Sequence, residues 1–188
     1  MMTVILVGGA SRRMGRDKAL LPYRGTTLLQ YQIDKYATLG PVAISVNCTG
    51  RYDVSGAVEL VDRWPDSGPL NGLVSAFAMT DEESVFLTAV DLPYGEPALA
   101  KRLAELRGSA DACILRTGIK GIEPLFAVYG RRCGEAAERA LVQGKKSVRS
   151  ILEELVVRFV SQEELPGYEL EHVLINVNTP EEYSKLEF

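Results

Sequence analysis

The sequence predicts an α/β protein whose mainly parallel sheet is covered by helices on both faces, and three observations support this. Apolar, β-branched runs alternate with segments of helical periodicity through most of the chain, which is the order of strand–helix–strand units. Several of the runs end at glycine, asparagine or aspartate, residues suited to the carboxyl edge of such a sheet. The 188 residues contain no internal repeat, low-complexity tract or long linker, so we expect a single domain spanning residues 1–188.

The strands are predicted from short apolar runs that stop at turn residues. They cover residues 2–7, 42–46, 58–61, 85–90, 112–115, 125–129, 156–160 and 173–177. The helices are predicted from apolar side chains at helical spacing, from capping residues and from glycine or proline at their ends. They follow a cap at Thr26 or Thr27 as far as residue 39, then cover residues 70–79, 96–106, 134–142 and 147–155. A last helix begins at Pro180, with Thr179 as its cap.

Composition excludes several classes of protein. Hydrophobic residues make up 46% and charged residues 24%, as in a globular chain. No apolar run approaches the ~18 residues that a membrane span needs. The N-terminus has neither a basic segment nor a cleavage site, so we expect a cytoplasmic protein without a signal peptide. The three cysteines, Cys48, Cys113 and Cys133, and the single histidine are too few and too scattered for a zinc site, and we expect buried free thiols.

Charge is distributed unevenly along the chain. The net charge is −4 over the whole protein, whereas residues 12–18 carry +3. An acidic protein offers no broad surface for nucleic acid. We therefore expect no nucleic-acid partner, and the compact basic segment is better suited to a small polyanion.

The basic segment belongs to a glycine-rich loop that extends from Leu6 to Lys18 and reads LVGGASRRMGRDK. Glycines let the backbone approach phosphate oxygens and present N–H donors to them. Arginine adds a planar fork of donors, and lysine adds a point charge. The loop matches neither a Walker A motif nor a dinucleotide fingerprint. By itself it predicts only that a polyanion binds there.

Polar residues or glycines follow the predicted strands at five places, where ligands of open α/β sheets bind. These are Gly8-Gly9, Asn47, Asp62, Asp91 and Asn178. Any one of them could simply form a turn or cap a helix, but five agreeing positions favour a site for a nucleotide and a metal. Asp91 is the expected Mg²⁺ ligand, with phosphate oxygens and waters completing the coordination.

Longer motifs resemble those of the molybdenum cofactor guanylyltransferases. LVGGASRRMGRDKALLPYRG is similar to their signature, written roughly L-A-G-G-x-S-x-R-M-G-x-D-K, and GPLNG, VDLPY, EPLFAVY and NVNTPEE follow in the family's order. The first block is shared with a wider group of nucleotidyltransferases, whereas NVNTPE together with the double glycine points to the guanylyl branch. The resemblance covers nearly the whole chain.

The resemblance implies a Rossmann-like three-layer sandwich of the nucleotidyltransferase type. It implies that GMP passes from GTP to the phosphate of molybdenum-molybdopterin, with Mg²⁺ as cofactor, giving molybdopterin guanine dinucleotide and pyrophosphate. It also implies transient contacts with molybdenum-insertion proteins or molybdoenzymes as partners.

The resemblance further assigns roles to individual residues. Those expected at the nucleotide are Leu6, Val7, Gly8, Gly9, Asn47 and Asp62. Those expected to act on the phosphates or the metal, and so to be catalytic, are Arg13, Lys18 and Asp91. Those expected near the acceptor pterin are Asn176 and Asn178. Arg12 and Arg16, in the same loop, receive no role.

The sequence departs from the family pattern at three points. Val7 replaces the usual alanine, Glu123 replaces a frequent glutamine, and the polar nucleoside contact after the second strand aligns with either Asn47 or Ser45. Two rival functions remain open. One is a related nucleotidyltransferase that uses CTP or another nucleotide, and the other is a non-catalytic protein that binds nucleotide or molybdoenzymes.

Overall fold

A computed structural model of the chain describes residues 1–7, 16–64, 67–119 and 121–186. Its strands are β1 (Met2–Leu6), β2 (Pro22–Tyr23), β3 (Thr26–Thr27), β4 (Val42–Val46), β5 (Ala57–Val61), β6 (Ser84–Ala89), β7 (Ala112–Thr117), β8 (Gly121–Gly130) and β9 (Val157–Val160). Its α-helices are α1 (Leu28–Tyr36), α2 (Pro69–Met79), α3 (Pro97–Arg107), α4 (Arg131–Val142), α5 (Leu170–Val173) and α6 (Pro180–Ser184). Short 3₁₀ helices cover Lys18–Leu20, Ala37–Leu39, Val148–Glu154 and Gln162–Glu164.

Seven of these strands form one sheet, in the order β5-β4-β1-β6-β8-β7-β9. All neighbouring pairs are parallel except those of β8, which is antiparallel to both β6 and β7. The chain runs outward from β1 through β4 to β5 and then returns to β6 on the other side of β1. This reversal places a crevice at the carboxyl ends of β1 and β6, where doubly wound sheets bind their ligands.

Successive strand residues face opposite sides of the sheet, so each strand contributes to two separate cores. In β6, Phe86 packs into the core beneath α1 and α3, whereas Val85 and Leu87 pack into the core beneath α2 and α4. The two cores confirm the three-layer α/β architecture.

Helices α1 and α2 begin where local sequence signals place them. The Thr27 hydroxyl accepts the backbone N–H of Gln30 at 3.1 Å, which caps the first turn of α1. Helix α2 begins at Pro69, a favoured first position because proline lacks an N–H. At Gly72, a Cβ atom would lie 2.5 Å from Leu6 Cδ2, so glycine lets α2 approach the end of β1.

Two predicted elements were wrong in type. Residues 173–177 form no strand, because α5 ends at Val173 and the backbone N–H of Val177 bonds to the Asp91 carbonyl oxygen at 2.9 Å instead of joining a ladder. Residues 147–155 contain a 3₁₀ helix instead of an α-helix. Asn178 therefore does not follow a strand.

Two smaller features also differ from the expectation. Cys113 and Cys133 are buried thiols, but Cys48 is exposed in the loop after β4. The two-residue strands β2 and β3 form a separate ribbon that is too short to leave a periodic signal in the sequence. None of the helices in the described ranges is long and apolar enough to cross a membrane.

Candidate active site

Lys18 joins three distant parts of the chain at the carboxyl edge of the sheet. Its Nζ lies 2.7 Å from Asn178 Oδ1 and 3.2 Å from Asp91 Oδ2. The Lys18 and Asp91 side chains are 15% and 23% exposed, so the pair is sheltered yet open to a ligand. The structure thus brings together three of the residues that were expected at the phosphates, the metal and the acceptor.

Asp17 fixes the start of the segment that carries Lys18. Its Oδ1 accepts the Ala19 backbone N–H at 3.1 Å and so caps the 3₁₀ turn. Its Oδ2 accepts hydrogen bonds from the Arg51 guanidinium at 2.7 Å and the Tyr52 hydroxyl at 3.0 Å. The aspartate therefore ties the segment that carries Lys18 to the loop that follows β4.

The C-terminal segment is held against the site by a helix cap. Thr179 and Glu182 form a reciprocal capping box at the start of α6. Glu182 Oε2 also accepts the Asn178 backbone N–H at 2.6 Å. Together with the bond from Val177 to the Asp91 carbonyl oxygen, these contacts orient the Asn178 amide toward Lys18.

A second polar group forms on the β4–β5 side of the crevice, around Asp62. Asp62 Oδ1 accepts the Ser45 hydroxyl at 2.8 Å, and the side chain of the buried Asn71 of α2 lies close enough to lower the pKa of this carboxylate. Burial raises the pKa of Asp62, and these two partners oppose the shift. The Asp62 carboxylate is therefore held in place as a hydrogen-bond acceptor. It lies close to the N-terminus of α2, where the helix dipole favours negative charge.

Asn71 did not emerge from the sequence as a site residue, because an asparagine in GPLNG is also a plausible helix-start residue. Its contact with Asp62 depends on how α2 crosses the end of β5, and the sequence carries no local signal for that. Between the two aligned candidates, Ser45 contacts Asp62 directly, whereas Asn47 lies exposed in the loop after β4.

The remaining expected residues have different placements. Leu6 ends β1, and the backbone N–H of Val7 bonds to the Ser45 carbonyl oxygen at 3.4 Å. The Asn176 amide donates to the nearby Leu174 carbonyl oxygen at 3.1 Å, within its own turn. Arg16 is exposed. Gly8, Gly9, Arg12 and Arg13 lie outside the described residues.

Glu123 also lies near Asp91, on the other side of the crevice from Asp62. Its Oε1 accepts the Leu125 backbone N–H at 2.9 Å, where Pro124 and a register shift interrupt the β7–β8 ladder. Burial raises the pKa of Glu123, and the negative charge of Asp91 adds to the increase. Glu123 thus stabilises the irregular stretch of β8 that lies near Asp91.

The residues at this edge fit a divalent cation that is shared with a ligand. Asp91 offers a half-buried hard oxygen donor, and the described residues contain no cluster of three potential metal-ligating side chains. A cation held by one carboxylate would complete its coordination with phosphate oxygens and waters, which is how Mg²⁺ commonly binds beside nucleotides. Asp91 Oδ2 contacts Lys18, and within the described ranges Asp91 Oδ1 has no hydrogen-bond donor.

Comparison with known proteins identifies the family of the chain. Residues 3–159 match the family model described as the MobA-like NTP transferase domain. The chain is 33% identical to a protein of Carboxydothermus hydrogenoformans named "Probable molybdenum cofactor guanylyltransferase", over 97% of this chain and 92% of that one. It is 32% identical to the molybdenum cofactor guanylyltransferase of Desulfosudis oleivorans, over 98% and 93% of the two chains.

Two crystal structures share the fold. The molybdopterin-guanine dinucleotide biosynthesis protein A of Archaeoglobus fulgidus aligns with a TM-score of 0.82 at 25% identity, over 98% of this chain and 95% of that one. The 2-C-methyl-D-erythritol 4-phosphate cytidylyltransferase of Thermus thermophilus aligns with a TM-score of 0.69 at 15% identity, over 96% and 94%; this second likeness shows the nucleotidyltransferase fold alone. The chain belongs to the MobA-like NTP transferase family and, within it, to the molybdenum cofactor guanylyltransferases.

Proposed function

We propose that this nucleotidyltransferase transfers GMP from GTP to a phosphate of molybdenum-molybdopterin in the crevice between β1 and β6. The contact of Lys18 with both Asp91 and Asn178 carries the proposal. It joins the loop expected at the triphosphate, the carboxylate expected at the metal and the segment expected at the pterin. Donor and acceptor phosphates would meet at this point.

In the proposed reaction, a terminal phosphate oxygen of the acceptor attacks the α-phosphorus of GTP. A new P–O bond forms, the bond from the α-phosphorus to the bridging oxygen breaks, and pyrophosphate leaves. The attacking phosphate is already ionised near neutral pH, so no strong general base is needed. The chain's task is then to position the two phosphates and neutralise their charge.

Each part of the site would have a separate task. Lys18 and Arg13 would neutralise the phosphates, Leu6, Val7, Gly8 and Gly9 would contact the nucleotide through backbone atoms, and Asn176 and Asn178 would orient the acceptor. Asp62, with Ser45 or Asn47, would accept hydrogen bonds from the nucleoside. Asp91 would hold Mg²⁺, which supplies Lewis-acid stabilisation of phosphate charge when bound.

The same proposal covers organisation and partners. We propose one nucleotidyltransferase domain over residues 1–188, acting in the cytoplasm, where GTP is available. Transient contact with molybdenum-insertion proteins or molybdoenzymes would pass the product on. The expected partners do not include nucleic acid, because the whole chain carries a net charge of −4.

Pyrophosphate release tests this function against its rivals. The protein with Mg²⁺ and molybdenum-molybdopterin is expected to release pyrophosphate from GTP much faster than from CTP or ATP, and only when the acceptor is present. A preference for CTP would favour the related cytidylyltransferase. Nucleotide binding without any pyrophosphate release would favour a binding protein.

A further inference from the structure

The backbone around Asp91 is held by hydrogen bonds at four successive carbonyl groups, residues 90–93. The Gln32 amide nitrogen lies 2.8 Å from the Leu92 oxygen and 3.5 Å from the Val90 oxygen. The Val177 N–H donates to the Asp91 oxygen at 2.9 Å, and Lys35 Nζ lies 2.8 Å from the Pro93 oxygen. Two of these three donor groups are side chains of one helix, α1.

Gln32 is a buried polar side chain at a position where packing alone would be satisfied by an apolar residue. Its side chain is fully buried. Because carbonyl oxygens only accept hydrogen bonds, the Gln32 –NH₂ group must point toward residues 90–93. Its Oε1 then has no partner among the described residues, and an unsatisfied buried acceptor typically costs about 1–3 kcal/mol. An apolar residue at this position would avoid that cost, but it would also lose the hydrogen bonds to the carbonyl oxygens of Val90 and Leu92.

Lys35 also donates a hydrogen bond to this segment, although burial disfavours its charged form. Its ammonium lies over the rings of Tyr31 and Tyr36, at 5.3 and 4.8 Å from their centroids. Burial, aided by the nearby Arg24 charge, lowers the pKa of Lys35 to about 7, and only Glu96 opposes the shift. A lysine is thus partly desolvated to reach a backbone carbonyl two residues beyond Asp91.

We propose that Gln32 and Lys35 are positioning residues that hold residues 90–93 in one conformation and thereby set how tightly Asp91 binds its divalent cation. The proposal rests on the proposed function, in which Asp91 is the metal ligand. Neither side chain would touch the substrates. They would act by keeping the Asp91 backbone from moving when Lys18 turns from the carboxylate to a phosphate.

The test compares two glutamines of the same helix. Gln32→Leu keeps the side-chain volume and removes both donors. Gln30→Leu is the matched control, because Gln30 also bonds to a backbone carbonyl, that of Ser55 at 3.1 Å, but in a loop away from Asp91. Lys35→Met keeps the apolar stem, removes the ammonium group, and provides a second variant at a partly exposed position.

The direct measurement is the affinity of the protein–GTP complex for Mn²⁺, followed by electron paramagnetic resonance. The Mg²⁺ dependence of pyrophosphate release is measured in parallel. Loss of groups that orient a metal ligand typically weakens metal affinity about 10–100-fold. We expect a loss of about tenfold or more in Gln32→Leu, a smaller loss in Lys35→Met, and a Kd for metal-free GTP that stays at its wild-type value.

The outcomes separate the two proposals. If Gln32→Leu and Lys35→Met bind Mn²⁺ as tightly as the wild type and Gln30→Leu, the positioning role is wrong while the proposed function stands. If Gln32→Leu does not fold, the result for Lys35→Met decides alone. If the wild type binds no Mn²⁺ in the presence of GTP, or binds it equally after Asp91→Ala, the metal assignment in the proposed function fails first.

Discussion

Lys18 lies between two oxygen atoms that the chain brings from far apart, Asp91 Oδ2 and Asn178 Oδ1. An ammonium group at that point joins the two segments, and in the proposed function it would provide charge for phosphates once substrate binds. Lysine suits both tasks because its flexible stem lets one point charge change partners.

Substitutions of Lys18 and Asp91 should separate GTP binding from the rate of GMP transfer. Lys18→Ala would remove the proposed charge-assisted hydrogen bond to phosphate, worth about 1.5–3 kcal/mol, so we expect GTP affinity to fall about 10–100-fold by titration calorimetry. Asp91→Ala should lower the rate of GMP transfer by about 10²–10³ with an unchanged circular dichroism spectrum. Unchanged GTP affinity in Lys18→Ala would make it a structural lysine, and normal turnover in Asp91→Ala would remove the metal assignment.

Two buried serines allow a matched test of Asp62. Ser45→Ala removes a donor to the carboxylate at 2.8 Å, whereas Ser75→Ala removes a hydroxyl that contacts the Val61 carbonyl oxygen at 3.4 Å. We expect the KM for GTP to rise in Ser45→Ala only. Because the Ser45 hydroxyl opposes the raised pKa of Asp62, its loss should also move the acid limb of GTP binding to higher pH. Equal effects in both variants would indicate a general packing defect.

At the scale of elements, the short helix α6 orients Asn178. Its capping box joins Thr179 and Glu182, and Glu182 also accepts the N–H of Asn178 at 2.6 Å. An element of five residues has little stability of its own, so the cap and the bond from Val177 to the Asp91 segment fix its position.

Thr179→Ala should therefore affect the acceptor more than the donor. Loss of an N-cap costs about 1 kcal/mol, and we expect the freed Asn178 to raise the KM for the molybdopterin acceptor while the Kd for GTP stays constant. Steady-state kinetics with each substrate varied in turn would show this. A rise in the Kd for GTP of the same size would instead place the segment at the nucleotide.

Lys35 of helix α1 should make the stability of the protein depend on pH. Its pKa is lowered from 10.5 to about 7 in the folded protein, so between these values the unfolded chain binds more protons than the folded one. Wild-type stability should therefore increase relative to Lys35→Met as the pH rises from 7 toward 10.5, and the difference should stay constant below pH 7. Thermal unfolding of both proteins across this range measures the trend, and parallel curves would contradict it.

At the scale of the whole molecule, the sequence predicted most of the fold because strong local signals agree with the tertiary structure. Strand β4 begins and ends as predicted, since Gly40-Pro41 and Asn47 enclose a β-branched run. Helix α2 begins one residue before the prediction, at Pro69. Both elements lie in the buried centre of the fold, where periodicity and packing select the same conformation.

The errors occur where tertiary contacts override local pattern. The apolar run at residues 173–177 resembles a strand, but its N–H at Val177 is used by the Asp91 carbonyl oxygen. The sequence also could not predict which separate elements meet. The proximity of Asn71 to Asp62 and the contact of Gln32 with residues 90–93 depend on how helices cross the sheet. The residues expected at one edge were identified from their types, whereas their partners required the structure.

The most direct test of the account is a crystal structure of the protein with GTP and Mg²⁺. We expect the nucleotide in the crevice between β1 and β6, the nucleoside toward Asp62, Lys18 on the phosphates, and the cation on Asp91. A triphosphate bound elsewhere, or a cation in this crevice without contact to Asp91, would contradict the claim that these residues form a single nucleotidyl-transfer site.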